Sequence, residues 1–364
     1  MIKRIKELTD IPNTIEENLP TSPDQILLLD IETTGFHADR SDLYLIGCGY
    51  YENGSWKISQ FFAESSKDQQ ELLKAFSDIA CKKTLLIHYN GNRFDVPYLK
   101  RKYESFGLKD PLDRLTGFDV YKRLNLYSGF LKLSDMKLRT VMGFMGIERE
   151  DAGGGELVRV YGDYLIDRRE SQLDELLSHN LQDLSGLLKI MPLLSVSDLF
   201  DKPVRAVKAR IERASVPGGD SKHELMLKLR LNSPIPVKIN TMSKGCYFGC
   251  RGNEGVLRIP IFEGELKYFY ADYKNYYYFP QEDQAIHKSV SAFSDSSFRE
   301  QAKAYNCYTR KLGIYLPEYS DEFIPFFKKV YDTNELFLEF TDERKTDREF
   351  CSSYAHHILR MMAS

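Results

Sequence analysis

Asp30 and Glu32 close one of the most apolar runs in the chain, "ILLLDIETTGF" from Ile26 to Phe36. On a strand, residues i and i+2 face the same side, so the two carboxylates project together while Ile31 turns into the opposite layer. Neighbouring carboxylates repel and are costly to desolvate unless a cation lies between them, and an oxygen-rich pair suits Mg²⁺ or Mn²⁺. Taken alone, the motif also reads as an exposed strand end with two solvated acids.

Two more acidic motifs follow. In "LIHYNGNRFDVPYL", Leu86 to Leu99, an apolar strand runs into a glycine-containing turn, and Asp95 stands before a helix whose Pro97 suits its first turn. Asp95 is either the cap of that helix or a ligand, and the two roles are compatible. Asn90 and Asn92 are turn residues by type, with Asn90 also placed to order a water or a phosphate. In "LLSHNLQDLSGLL", Leu176 to Leu188, the leucines form a helical stripe that must pack against something. His179 and Asp183, four apart, are neighbours at the margin of the stripe, either as a surface couple or as part of a cleft. Asn180 falls within the stripe, where a buried amide needs a partner.

In this order the three motifs resemble those of the DEDD exonucleases of the ribonuclease H-like superfamily. "DIETTGF" and "HYNGNRFDVPYL" look specifically like the YprB-like branch of predicted exonucleases, over roughly residues 25 to 195. The resemblance implies that Asp30, Glu32, Asp95 and Asp183 bind two divalent ions, Mg²⁺ or Mn²⁺. It also implies hydrolysis of phosphodiester bonds in single-stranded or frayed DNA or RNA, one nucleotide at a time and usually from the 3′ end. Two such ions ~3.5 to 4 Å apart activate water and stabilise the leaving oxygen. One subgroup has Tyr four positions before the last Asp and another has His five before it. His179 combines the first spacing with the second chemistry, which leaves it either accepting the water's proton or orienting that water.

The elements that must hold these residues are those of an α/β fold, a ribonuclease H-like mixed sheet flanked by helices. Apolar patterning predicts strands at Ile26–Ile31, Leu43–Tyr50 and Trp56–Phe62 as an antiparallel meander, and a short buried strand at Thr84–Asn90. Helices are expected at Asp68–Cys81, Pro97–Phe106, around Met136–Gly143 and Glu156–Ile166, and from Leu173 to Met191. Residues 1–24 read as an N-terminal extension, 25–197 as the exonuclease domain, 198–220 as a basic linker punctuated by "VPGGD", and 221–364 as an α+β accessory domain. In that last part, Leu225 to Leu231 alternates as a half-exposed strand. A hairpin is expected from Val256–Phe262 and Glu265–Tyr270 through Glu263-Gly264, with mostly helix after Asp283.

At 364 residues and 42% apolar content, the chain can bury two cores, and no apolar run approaches the ~20 residues of a membrane span. The first twenty residues lack the apolar core of a secretory signal, and six dispersed cysteines suit reduced thiols, so a cytoplasmic protein is expected. A net charge of −3 argues against binding nucleic acid by overall charge. Between Asp201 and Asn240, however, nine Lys and Arg face four acids. Arg205, Lys208 and Arg210 in this segment are candidate phosphate contacts, or else a solvated linker.

Further candidates have two readings each. Asp119 is a supporting carboxylate or a helix cap, Lys137 a phosphate contact or a solvated lysine, and Gly153–Gly155 a phosphate approach or a connection. The aromatic run Leu266 to Pro280 either stacks bases or packs. Cys246 and Cys250, with His356-His357 downstream, offer at most half of a zinc site, and His287-Lys288 joins no constellation. Two other functions fit the sequence: a nucleic-acid-binding module with vestigial catalysis, and a structure-selective endonuclease on the same fold.

Overall fold

The computed structural model describes residues 1–9, 11, 21–149, 156–214, 222–291 and 295–363. The chain forms two units, Met1–Ser197 with Ile235–Val237, and Asp198–Pro234 with Lys238–Ser364.

In the first unit the elements are β1 (Ile2–Leu8), β2 (Ile26–Thr33), β3 (Leu43–Glu52), β4 (Ser55–Phe62), α1 (Gln69–Ala80), β5 (Leu85–His88), α2 (Asp95–Ser105), β6 (Thr116–Asp119), α3 (Val120–Asn125), α4 (Ser128–Leu131), α5 (Leu138–Phe144), α6 (Leu157–Asp167) and α7 (Glu170–Ile190). The sheet order is β1-β4-β3-β2-β5-β6. The meander β2-β3-β4 is antiparallel, whereas β5 lies parallel to β2 and β6 parallel to β5. β2 is central, which is why its sequence is a continuous apolar run and not an alternation. Leu27, Leu29 and Ile31 join Leu72, Phe76, Tyr161 and Leu176 in one core cluster. α7 packs across β2, β3 and β4 through its leucine stripe.

The N-terminal residues are more than an extension: all seven residues of β1 pair with β4, so they complete the sheet edge. The segment read as a basic linker also differs, because residues 205–214 are a strand. The motifs Gly153–Gly155 and Val216–Asp220 lie outside the described residues.

The second unit is β-rich. Its elements are α8 (Asp198–Asp201), β7 (Arg205–Ala214), β8 (Lys222–Ser243), β9 (Cys246–Pro260), β10 (Phe262–Phe269), β11 (Tyr276–Phe279), β12 (Gln284–His287), α9 (Lys288–Ser291), β13 (Glu300–Gln301), β14 (Tyr308–Glu318), β15 (Phe326–Phe327), β16 (Leu336–Glu339), α10 (Asp342–Thr346) and α11 (Arg348–Ala363). They form sheets β7-β8-β9, β10-β14-β16-β15 and β12-β11-β13. Lys244 and Gly245, both at positive φ, make the two-residue turn between β8 and β9. The expected hairpin across Glu263-Gly264 does not form; both residues lie inside β10, whose partner is β14. The region after Asp283 mixes strands β12 to β16 with the helices α9, α10 and α11, and is not mostly helical. Pairing to distant strands there overrides local helical patterning. The aromatic run packs on itself: Tyr270 and Tyr276 stack with ring centroids 4.4 Å apart, against a cluster of Ala285, Ala302 and Cys307.

Candidate active site

Asp30 lies opposite Gly47 on β3, and Gly47 lies opposite Gln60 on β4. α7 places Asn180 over this row. A Cβ at position 47 would come within 2.0 Å of Asn180 Oδ1, so only glycine leaves room for the amide. Asn180 accepts from Gln60 Nε2 at 2.9 Å and donates to Asp30 Oδ2 at 2.7 Å, which provides the partner its buried position demands. Gln60 donates also to the Leu177 carbonyl at 2.7 Å, tying the helix to the sheet. Gly47→Ala is expected to lose about 1 to 3 kcal/mol of stability through overpacking. A urea midpoint equal to wild type would show that Asn180 yields at no cost.

Glu32 projects from β2 two residues beyond Asp30, with the Tyr44 hydroxyl donating to it at 3.5 Å. Tyr44 is itself stacked on Tyr161, centroids 4.2 Å apart. β5 pairs with β2 only as far as Leu28, so the β2 backbone beyond it has an open edge. There the Ile31 N–H donates to Asp95 Oδ1 at 3.2 Å. Asp95 is the first residue of α2, and Phe94 takes the cap position. His179 Nε2 lies 3.4 Å from Asp183 Oδ2 and 3.8 Å from Glu32 Oε1. Arg149 pairs with Asp183 and approaches His179 Nδ1 at 3.4 Å. Three separate elements thus bring all four sequence-predicted carboxylates and His179 to one recess.

These acids are deep but reachable, Glu32 and Asp183 each retaining 18% side-chain exposure. Burial, then repulsion from Asp183, Glu32 and Asp95, pushes the Asp30 carboxyl well above its usual range, against the Asn180 hydrogen bond. Burial followed by Asp183 and Asp95 pushes Glu32 up to about 8. Asp95 rises to about 6, mainly by burial and in spite of the Ile31 N–H. Such a set favours protons or cations over four bare charges. Among the described residues no three His, Cys, Asp or Glu side chains converge closely enough on one point to hold a metal ion. Arg149 supplies the positive charge beside Asp183 instead. The donors fit Mg²⁺ or Mn²⁺ by chemistry, four hard carboxylates whose repulsion Arg149 relieves only in part; a cation at Asp183 would replace Arg149.

Of the other predicted residues, Asp119 acts on Asp95 through its charge. Asn90 is a turn residue at φ 61°, its N–H donating to Asp119 Oδ1 at 3.0 Å. Asp119 also accepts from the Lys122 N–H at 3.2 Å, which makes it the cap of α3. Lys137 is exposed at the residue just before α5. Arg205, Lys208 and Arg210 lie on β7 of the second unit. Sequence reasoning missed Gly47, Gln60, Tyr44 and Arg149. The amide inside the α7 stripe was the one signal pointing to the first two; nothing marked Arg149.

Residues 27–195 match the family model of the RNase_H superfamily. The fold of this segment is ribonuclease H-like. A further, β-rich region follows it. Among solved structures, the chain is similar to the family B DNA polymerase from the hyperthermophilic archaeon Pyrobaculum calidifontis, with 14% identity, TM-score 0.37, and coverage of 70% of this chain and 35% of the polymerase. It is also similar to E. coli exonuclease I in the zinc-bound complex with single-stranded DNA, at 15% identity and TM-score 0.29, over 57% of this chain and 55% of that one. The complex of the same exonuclease with a dA16 oligonucleotide gives 15% identity, TM-score 0.27 and the same coverages, 57% and 55%. The alignments thus span about a third to a little over half of those proteins' length. No curated protein matches the chain. Among the described residues no helix is long and apolar enough to cross a membrane.

Proposed function

We propose that the chain is a divalent-metal-dependent exonuclease of the DEDD type, hydrolysing phosphodiester bonds of single-stranded or frayed nucleic acid from the 3′ end. The observation that carries this reading is the half-buried quartet Asp30, Glu32, Asp95 and Asp183, assembled from β2, the start of α2 and α7, whose desolvation and mutual repulsion call for cations. The match of residues 27–195 to the RNase_H superfamily supports it. When bound, Mg²⁺ or Mn²⁺ at these four residues would activate the attacking water and stabilise the leaving oxygen.

The protein's own groups then aim and balance the site. Asn180 and the Ile31 N–H fix one oxygen each of Asp30 and Asp95. Arg149 can only donate, so its approach to His179 Nδ1 leaves that nitrogen the acceptor and puts the ring proton on Nε2, toward Glu32 and Asp183. Both ring nitrogens are engaged, which favours the orienting role for His179 over proton acceptance. With a cation at Asp183, the Arg149 guanidinium would offer planar donors that suit a phosphate while its Nη2 stays beside His179.

The Arg149–Asp183 pair is also what a binding module without turnover would show, and one assay separates the readings. An end-labelled single strand with Mg²⁺ or Mn²⁺ is expected to shorten to a ladder of single-nucleotide steps, while a circular single strand stays intact. No shortening by folded protein with either metal would leave the binding module, and cutting of the circle would make the enzyme an endonuclease.

A further inference from the structure

The sheet β7-β8-β9 carries a groove of about 790 Å³. It is lined by five cationic residues, Arg205, Lys228, Arg230, Lys238 and Arg251, with Glu254 the single acid. All five are exposed, while Leu225, Leu227, Leu229 and Leu231 alternate with Lys228 and Arg230 along β8 and are buried beneath. The register sets Arg205 directly opposite Arg230 and Lys208 opposite Lys228. Like charges opposed across strands are destabilising.

The same two strands deal differently with their acids. Glu212 lies opposite Glu224, and Arg258 of β9 bridges them at 3.2 and 3.7 Å. Among the described residues, no carboxylate plays that part for the two cation pairs. A polyanion backbone is the complement of such a row. Within the groove, the Tyr247 hydroxyl donates to Asn240 Oδ1 at 2.8 Å. Its ring lies over Gly249, where a Cβ would meet the hydroxyl at 2.6 Å. A half-exposed aromatic held in place among cations suits unpaired bases, whose faces are open to stacking.

We propose that this groove binds single-stranded nucleic acid, with backbone phosphates on its Arg and Lys residues and a base on Tyr247. The proposal deepens the nuclease reading and rests on it for the choice of polyanion. The test is anisotropy of a fluorescent 20-nucleotide single strand with the full chain in EDTA, where cleavage cannot interfere. The double variant Lys228→Glu, Arg230→Glu is expected to bind about tenfold or more weakly, with the slope of log Kd against log salt smaller by about 0.7 for each phosphate no longer neutralised. Tyr247→Ala is expected to weaken binding about five- to hundredfold. The milder pair Lys238→Ser, Arg251→Ser, with wild-type melting, guards against a folding defect. Unchanged affinity and salt slope in both charge variants would overturn the proposal, as would a blunt duplex binding as well as the strand. The p-nitrophenyl ester of thymidine 5′-monophosphate, small enough to need no groove, separates the two readings. Groove variants should hydrolyse it at the wild-type rate. Groove-dependent binding by a protein that cleaves neither strand nor ester would sustain the groove and end the nuclease reading.

Discussion

Asp183→Asn is expected to reduce nucleotide release by about three orders of magnitude or more, since on the proposed reading a cation held there would contribute several kcal/mol to the transition state and each ~1.4 kcal/mol is tenfold in rate. The fold should survive. Leu173, Leu176, Leu184, Leu187 and Leu188 anchor α7 in the core independently of Asp183. Two electrostatic changes oppose one another: Arg149 loses its charged partner, and Asp30 and Glu32 lose a repulsive neighbour. End-labelled strand shortening, beside a melting curve, measures both. A wild-type rate would remove Asp183 from the metal site. His179 supplies the companion test on the same helix. In the orienting role, His179→Tyr keeps activity within about tenfold and leaves the pH profile unchanged, whereas loss of a proton acceptor costs about 10²- to 10⁴-fold and removes the acidic limb. Wild-type behaviour of both His179→Tyr and His179→Ala would reduce His179 to a structural residue.

The second large effect is on stability, and its sign follows from the carboxylates. Glu32 is pushed from its ordinary 4.5 to about 8 in the folded chain. Between those values the native state holds more protons than the unfolded one, so stability falls as pH rises through that window. Asp95 acts in the same direction between 3.8 and about 6. Together they are worth on the order of a few kcal/mol. In EDTA the melting temperature should therefore drop between pH 5 and 8. Mg²⁺ or Mn²⁺, which favours the ionised acids, should flatten or reverse the drop; at a hundredfold excess over Kd it adds ~2.7 kcal/mol. Asp30→Asn removes the charge most disfavoured by its surroundings and should raise the metal-free melting temperature while abolishing the response to cation. Identical pH dependence with and without cation would sink the metal reading.

These outcomes test a site that was legible in the sequence to an unusual depth in one respect and closed in another. Asp30 and Glu32 share a face because a strand repeats every two residues, and His179 and Asp183 are neighbours because a helix repeats every 3.6. Such relations lie within one element, so residue order alone determines them. The strands β2, β3 and β4, the helix α7 and its inward stripe follow from the same short-range periodicity.

What joins one element to another lies beyond any local window. The row Asp30, Gly47 and Gln60 exists only because three strands settle in one register, and Asn180 reaches it only because α7 docks across them. Val256 to Tyr270 has the alternation of strands but carries no mark of its partner, and β10 pairs with β14 instead of folding back on its neighbour. Charge in the stretch from Arg205 to Arg213 disguises a strand in which Ala206 is buried and Ala209 and Ile211 are half-exposed. Arg149 finds Asp183 across the fold, with no spacing to announce it. Sequence by itself determined the candidate residue types and the periodic faces, which depend on neighbouring backbone geometry. Tertiary structure decided the partners, because register and docking are settled by complementarity between surfaces far apart in the chain.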